Sequence, residues 1–423
     1  MKSSKLFKFN ILILMLAVCA GMIFFTCAFT HKLPKGVTVN GVEVGGKSRA
    51  EACEIIRKSF ADGLKEKSLI IHGKKKDYVF TYPEIGIRDD LQALLKTVKK
   101  RGEYFANVSY YLNGISEISA YVCADESAEA VSPHAIFKTE GDPFLYVEGS
   151  DGAKADRVKL LSDIRASLSG NFEEVYVRTK TLKFTGSMEK VKRETELLSS
   201  FTTFFDGSNY ARSHNIRLAA KLINGTILQS GGKFSFNGTV GARTAERGFK
   251  KANIIQDGEF VAGYGGGVCQ VSTTLFNAAL RAGCEITEFH PHSLAVSYVP
   301  PSFDAMVSGS YFDLKFENTA RRTLYIRAYT GDNFVKFCIY GESDGADYDF
   351  DSRVTGSIAA PEETTNDENK VKAGKEGITS EGYLTVTRNG IKKTVLFRKD
   401  RYAPIKRIVY DGEEKESSET ESR

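Results

Sequence analysis

A cysteine that directly follows a glycine-rich turn is the residue of this chain whose setting most favours chemistry. Gly265, Gly266 and Gly267 lead to Cys269, and the apolar spacing after them predicts a helix from Cys269 to Ala282. A thiolate is the reactive form of cysteine, and unpaired N–H groups at a helix start lower the pKa of a thiol there. The pattern indicates a cysteine nucleophile. A buried, inert cysteine is the alternative interpretation.

Two histidines and a carboxylate follow this cysteine. His290, His292 and Asp304 come 21, 23 and 35 residues after Cys269. Either imidazole can act as the base and Asp304 can fix its tautomer, which is the arrangement of acyl-transfer sites. A metal bound by Cys269, His290 and His292 is a weaker alternative, because no closing ligand pair has a recognisable spacing, and we predict neither a metal nor another cofactor. In a third interpretation these residues only shape a binding pocket.

Short motifs occur in one order between Thr195 and Tyr329. They are Phe234–Asn237, Gly241–Thr244, Gly265–Leu275, Arg281–Gly283, His290–Ser293, Tyr298–Pro300, Asp304–Ala305 and Asp313–Phe316. Together they resemble the VanW family, envelope proteins named for an accessory gene of glycopeptide-resistance clusters in Gram-positive bacteria. The resemblance implies a location in the envelope and peptidoglycan or its precursors as the partner. The chain departs from the usual pattern at Phe289 and Phe303, where basic residues are common.

Several polar residues and glycines of these motifs are candidates for contacting a wall ligand. Arginine pairs bidentately with a carboxylate, and uncross-linked stem peptides end in one. A hydrogen bond that fixes a loop is the alternative role for such an arginine. Gln270 or its backbone amide is placed to stabilise an oxyanion at the helix start. The candidate ligand-binding residues are Gly265, Gly266, Gly267, Gln270, Ser272, Thr273, Asn237 and Arg243.

The N-terminal residues predict the compartment. Lys2, Lys5 and Lys8 precede an almost unbroken apolar run from Ile11 to Phe29, which is long enough to cross a bilayer as a helix. We expect a single uncleaved transmembrane anchor within residues 1–30, with the bulk of the chain on the cell-wall side. Cleavage or lipidation of this segment is the alternative.

Composition narrows the possible partners. The 423 residues carry 58 basic and 53 acidic side chains, so the net charge of +5 does not indicate a nucleic-acid-binding surface. The cysteines outside the anchor are odd in number and widely spaced, which is not the pattern of a disulfide framework. They are Cys53, Cys123, Cys269, Cys284 and Cys338. The oligomeric state cannot be read from these features.

Patterning predicts a multidomain α+β protein with a mixed-sheet VanW-like core. This organisation favours a membrane-anchored protein that binds peptidoglycan; the alternative is a cysteine acyl-transfer enzyme, of transpeptidase or peptidase type, acting on peptidoglycan peptides. The predicted segments are the anchor (1–30), a peptidoglycan-binding α+β region with an internal repeat as one interpretation (37–180), the VanW-like domain (195–345), a linker (346–370), a β module resembling the G5 module (371–412) and a disordered tail (413–423).

Overall fold

The computed structural model describes residues 31–256, 259–309 and 311–411. The anchor expected at 1–30 and the tail expected at 413–423 therefore lie outside the described residues. Within the described ranges, no helix is both long enough and apolar enough to span a bilayer.

The chain divides into two compact units, which are described separately here. The first unit comprises residues up to 131 together with 150–184, and the second comprises 132–149 together with the residues from 185 onwards. Residues 132–149, which lie inside the region predicted at 37–180, belong to the second unit. Helices and strands occur in both units, which confirms the α+β class.

The described residues form both helices and strands along the chain. The helices are α1 (Arg49–Leu64), α2 (Leu91–Thr97), α3 (Ile115–Glu126), α4 (Arg157–Ser169), α5 (Met188–Arg193), α6 (Tyr210–Ile223), α7 (Phe236–Val240) and α8 (Val268–Arg281). The strands are β1 (Val37–Val39), β2 (Val42–Glu43), β3 (Leu69–His72), β4 (Asp77–Phe80), β5 (Ile85–Asp89), β6 (Gly102–Tyr104), β7 (Val108–Leu112), β8 (His134–Phe137), β9 (Phe144–Val147), β10 (Gly152–Ala155), β11 (Val175–Tyr176), β12 (Thr179–Leu182), β13 (Glu196–Phe204), β14 (Thr226–Leu228), β15 (Lys233–Ser235), β16 (Lys251–Gln256), β17 (Glu259–Tyr264), β18 (Glu285–Glu288), β19 (Lys315–Glu317), β20 (Leu324–Thr330), β21 (Phe334–Gly341), β22 (Ala346–Ile358), β23 (Glu362–Thr365), β24 (Gly377–Arg388), β25 (Ile391–Tyr402) and β26 (Arg407–Tyr410).

The first unit contains two small hydrophobic cores. One surrounds Ile56 of α1 and Leu91 of α2, and the other surrounds Ile71 of β3 and Ile164 of α4. Its strands form short two- and three-stranded sheets, in which β1 pairs parallel with β6 and β11 pairs parallel with β3. Apolar residues at helical spacing on one face of α1 and α4 explain why each helix covers one core.

The second unit is built around α8, which is buried along almost its whole length. The helix packs on β13 and β21 of the sheet β13–β21–β20–β14, whose strand pairs are all antiparallel. Ser199 Oγ of β13 donates to the Ala278 carbonyl at 2.7 Å, and the hydroxyls of Thr203 and Thr274 are 2.8 Å apart. These buried polar contacts fix the helix against the sheet, since an unpaired buried hydroxyl is costly.

The C-terminal strands of the second unit pack on the same core. Our predicted linker over 346–370 contains β22 and β23 in the structure, and β22 pairs antiparallel with β24 of the β24–β25 hairpin. The Phe289 ring stacks on Phe397 of β25 at 5.3 Å, and Phe303 lies 5.0 Å from Phe350 of β22. The two positions that depart from the family pattern are therefore apolar contacts with these strands.

Candidate active site

Cys269 is the second residue of α8, and a tight turn of three glycines directly precedes this helix. Gly265 and Gly267 have φ of +84° and +101°, in the left-handed region that favours glycine. A Cβ at Gly265 would lie 2.8 Å from Arg243 side-chain carbons, and one at Gly267 would lie 2.9 Å from Ile216. The turn is thus filled by the protein's own atoms, so these glycines are needed for packing whether or not a ligand binds.

The structure brings Cys269, His292 and Asp304 together. The Cys269 thiol donates to the Val307 carbonyl at 3.3 Å, and the His292 imidazole lies close enough to lower the pKa of this thiol. His292 Nδ1 is 2.7 Å from Asp304 Oδ2, and the His292 backbone N–H donates to the same oxygen at 2.7 Å. Because Nδ1 faces the carboxylate, Nε2 is the ring nitrogen left for the thiol.

The burial of these groups differs in a way that suits a nucleophile. His292 is 4% exposed and Asp304 is fully buried. Of the five cysteines that the structure describes, Cys269 is partly exposed and the other four are buried. The residue that carries the thiol is thus less enclosed than the imidazole and the carboxylate behind it.

The charges in this cluster favour a thiolate–imidazolium pair. Burial alone would raise the pKa of Cys269, but the hydrogen bond and charge of His292, together with the charge of Arg243, lower it overall. Burial alone would lower the pKa of His292, but Asp304 and Cys269 raise it to about 9. Asp304 likewise has its pKa lowered, because its contacts with His292 outweigh burial. The proton of the pair thus belongs on the imidazole near neutral pH.

Polar residues of α8 fasten the helix to the segment that carries Asp304. Ser272 Oγ donates to the Ala305 carbonyl at 2.5 Å, and the Ala305 N–H donates to Thr273 Oγ1 at 3.0 Å. One turn later, Asn277 Nδ2 donates to the Phe303 carbonyl at 2.7 Å. Ser272 and Thr273 are fully buried, so the structure shows them orienting Asp304 rather than exposed to a ligand.

Gln270 holds the helix start through its side chain. Its Nε2 donates to Thr203 Oγ1 and to the Phe204 carbonyl, both at 2.9 Å, and its Oε1 accepts from Arg212 at 2.6 Å. These bonds leave its side chain occupied and 1% of the residue exposed. The backbone N–H of Cys269, at the second helix position where no intrahelical acceptor exists, is the better placed oxyanion donor.

His290, Asn237 and Arg243 form hydrogen bonds with groups other than the Cys269 thiol. His290 Nε2 lies 3.1 Å from Glu288 Oε1, so its recorded partner is a carboxylate and not the thiol. Arg243 Nη2 donates to Asn237 Oδ1 at 2.6 Å, which is the loop-fixing hydrogen bond that we considered as an alternative. Arg243 nevertheless stays close enough to Cys269 for its charge to lower the pKa of the thiol.

Sequence patterns missed four residues near the site. Arg212 and Tyr298 both interact electrostatically with Cys269. Arg398 and Tyr402 contact Asp304 from β25. Tyr298 belongs to a family-like motif and was a visible candidate, whereas no local periodicity links β25 to Asp304.

Two clefts of the described residues lie away from Cys269, His292 and Asp304. One is bordered by Arg322 and Tyr325, and the other by Arg217 and Asn224. Among the described residues, no group of three or more histidine, cysteine, aspartate and glutamate side chains is arranged to hold a metal ion. The candidate site is thus defined by the side chains gathered around His292 and Asp304.

Comparison with known proteins identifies the domain that carries this site. Residues 211–340 match the family profile described as VanW like protein, so the chain contains a VanW-like domain. It is 47% identical over 134 residues to the uncharacterized protein YoaR of Bacillus subtilis, covering 32% of this chain and 44% of that protein. It is 32% identical over 121 residues to the vancomycin B-type resistance protein VanW of Enterococcus faecalis, covering 26% of this chain and 42% of that protein.

The chain thus spans less than half the length of these two curated relatives. No solved structure matches it significantly.

Proposed function

We propose that the VanW-like domain is a cysteine acyl-transfer enzyme with Cys269 as nucleophile, His292 as acid and base, and Asp304 as the group that orients the imidazole. One observation carries the proposal, a chain of three side chains: the Cys269 thiol lies beside His292, whose ring is hydrogen-bonded to the buried carboxylate of Asp304. Residues gathered only for packing rarely bring a thiol, an imidazole and a carboxylate into such a chain.

The geometry suits a two-step transfer. The Cys269 thiolate adds to an acyl carbon, and the oxyanion that forms accepts a hydrogen bond from the Cys269 N–H. The His292 imidazolium gives its proton to the leaving group as the carbon–heteroatom bond breaks, which leaves a thioester. The neutral imidazole then takes a proton from water or an amine that attacks the thioester, and the thiolate–imidazolium pair is restored.

An anionic substrate fits the charges around the thiol. Arg212 and Arg243 flank the turn at Gly267 and Gly265. Their hydrogen-bond partners are uncharged oxygens, which are Gln270 Oε1 for Arg212, and Asn237 Oδ1 and the Gly241 carbonyl for Arg243. Each guanidinium has further N–H donors that can bind a carboxylate bidentately. Peptidoglycan peptides are the substrate class that we propose, supported by this charge and by the relative named for vancomycin resistance.

The test of the nucleophile is the pH profile of alkylation of the full chain by iodoacetamide, with Cys269→Ser to subtract the other thiols. We expect the Cys269 rate to have a midpoint well below about 8.5, the value for an ordinary thiol. A midpoint at or above that value would contradict the enzyme proposal.

The test of the anionic substrate compares iodoacetate with iodoacetamide on the same thiol. Arg243→Gln and Arg212→Gln should lower the iodoacetate rate several-fold while changing the iodoacetamide rate less, because only iodoacetate is charged. Arg217→Gln is the matched control, since Arg217 also lies on α6 but hydrogen-bonds the Gly331 and Asp332 carbonyls instead. Equal rate ratios in all variants would contradict the anion site.

Envelope location and peptidoglycan binding form the second part of the proposal. Their support is the basic and apolar pattern of the N-terminal residues and the VanW-like domain. Protease added to cells stripped of wall should digest the chain from Thr30 onwards, and the full chain should sediment with insoluble peptidoglycan. A cytosolic chain would contradict the location. Sedimentation by a chain with an ordinary Cys269 thiol would favour a binding protein without catalysis.

A further inference from the structure

Asp304 is held on the side away from His292 by two residues of β25. Tyr402 Oη donates to Asp304 Oδ1 at 2.5 Å, while His292 uses the other carboxylate oxygen. Arg398 Nη1 donates to the Asp304 backbone carbonyl at 2.7 Å. Tyr402 is 1% exposed and Arg398 is 5% exposed, so water does not compete for these bonds.

Arg398 places a buried positive charge beside Asp304. Arg398 Nε and Nη2 lie 2.6 and 2.8 Å from the two oxygens of Asp400, and Nη2 lies 3.7 Å from Asp304 Oδ1. Two carboxylates thus face one guanidinium and the imidazolium of His292. Without Arg398, Asp304 and Asp400 would lose the guanidinium that faces both, and a buried charge without its partner is costly.

The same hairpin also fixes the backbone on both sides of the site. The Ala403 N–H donates to the carbonyl of Ser293, the residue after His292, at 2.7 Å. Ser302 has φ of +65°, which is uncommon for a residue with a side chain, and its N–H donates to Tyr402 Oη at 2.7 Å. The Ser302 hydroxyl is 2.7 Å from that of Ser380 on β24. The turn before Asp304 is thus held in its conformation by the hairpin.

We infer that Tyr402 and Arg398 are positioning residues of the Cys269 site, and that the catalytic unit includes the β24–β25 hairpin outside the matched residues 211–340. This inference rests on the proposed cysteine chemistry. Tyr402 fixes the rotation of the Asp304 carboxylate, so that Oδ2 stays aimed at His292 Nδ1. Arg398 fixes the Asp304 backbone and helps to keep the Asp304 carboxylate ionised, so that the imidazolium, and through it the thiolate, stays favoured.

The test uses iodoacetamide alkylation of Cys269 in the full chain as a function of pH. Tyr402→Phe should raise the midpoint of the thiol by about 0.5 to 1 pH unit, because a freed carboxylate holds the imidazolium less well. The limiting rate at high pH should stay within about twofold, since the thiolate itself is unchanged. Tyr383→Phe is the matched control, because it removes a hydroxyl that bonds Glu381 on the same hairpin at 2.5 Å.

A purely structural role would give a different result. Tyr402→Phe would then lower the urea midpoint of unfolding but leave the alkylation midpoint at the wild-type value, and this outcome would overturn the inference. Arg398→Lys is a second variant, which keeps the charge but cannot bond Asp400 and the Asp304 carbonyl through a planar fork. It should raise the alkylation midpoint as well, and an unmoved midpoint there would also count against the inference.

The two proposals fail in distinguishable ways. An ordinary midpoint in the wild-type chain would overturn the proposed enzyme. A low wild-type midpoint that neither variant moves would leave the enzyme standing and overturn only the role of the hairpin.

Discussion

Two histidines separated by a single proline show how differently this fold treats the same chemical pair. His290 lies 3.1 Å from Glu288 and His292 lies 2.7 Å from Asp304. The His290 and Glu288 side chains are 31% and 28% exposed, whereas those of His292 and Asp304 are 5% and 1% exposed. The first pair is at the surface and shares its carboxylate with Lys315, while the second is enclosed and shares its carboxylate with Tyr402.

The difference shows that burial, more than the pairing itself, makes the charges of a histidine–carboxylate pair depend on their neighbours. At the surface, Lys315 and then His290 lower the pKa of Glu288 to about 2, and water screens what remains. In the enclosed pair the imidazolium has only Asp304 and the Cys269 thiolate to balance it, so the three charges depend on one another. Variants that break one pair and leave the other intact should separate these effects.

The largest expected effect is on stability. Asp304→Asn should lower the free energy of unfolding by about 3 to 5 kcal/mol, because it leaves buried cations without their carboxylate. Glu288→Gln, the matched change at the surface, should cost no more than about 1 kcal/mol. Urea unfolding at about pH 7 measures both, and losses of similar size would mean that burial does not distinguish the pairs.

A smaller effect is expected on thiol reactivity. His292→Gln should slow alkylation of Cys269 by iodoacetamide at about pH 7 by roughly tenfold or more, because the thiol then returns towards its ordinary pKa. His290→Gln should change that rate by less than about twofold, since its recorded partner is Glu288. If His290→Gln has the larger effect, the assignment of the base is wrong.

The smallest effect is a change in how stability depends on pH. Ordinary histidine and cysteine have pKa values of about 6.5 and 8.5, so between these values the unfolded pair holds one proton, on the thiol. The folded pair also holds one, on His292, whose pKa is raised to about 9 while that of Cys269 is lowered. Between about pH 6.5 and 8.5 the pair therefore adds no pH dependence to the free energy of unfolding. Stability should fall below this window, where only the unfolded state gains a proton, and above it, where only the unfolded thiol loses one.

Cys269→Ser should expose a pH dependence of stability that the thiolate cancels in the wild type. Without the thiolate, a His292 pKa raised by Asp304 alone gives stability that is present below about 6.5 and lost as pH rises towards the folded value. Unfolding free energies of the variant should thus decline relative to the wild type across this window, by less than about 1.4 kcal/mol per pH unit. If the unfolding free energies of the wild type and of Cys269→Ser change with pH in parallel, no thiolate–imidazolium pair forms.

Local sequence patterns were enough for the nucleophile helix but not for the choice among its partners. The glycine turn and apolar spacing predicted a helix from Cys269 to Ala282, and the observed helix is Val268–Arg281. The same patterns left His290 and His292 equivalent, because alternation around a proline does not show which imidazole turns inward. That choice depends on Asp304 and on strands that follow much later in the chain.

Polar residues near the cysteine were the least predictable. Ser272, Thr273 and Gln270 share the composition of a ligand-binding surface, but in the fold they bond the backbone of other segments and α6. The sequence does not distinguish a hydroxyl or amide that is hydrogen-bonded within the protein from one that faces a ligand. Contacts such as Asp304 with Tyr402, which are 98 residues apart, leave no local pattern from which to infer them.

The long separation of Asp304 from Tyr402 also has a consequence for timing during synthesis. A ribosome makes Cys269 and His292 well before β25, and contacts between distant segments form late because a long loop must close first. Until the hairpin docks, the Asp304 carboxylate is not held and the thiol stays in its protonated, slow form. In a newly synthesised chain the Cys269 thiol would therefore be protected from oxidants and electrophiles. It would become reactive only after the hairpin has been synthesised and has docked.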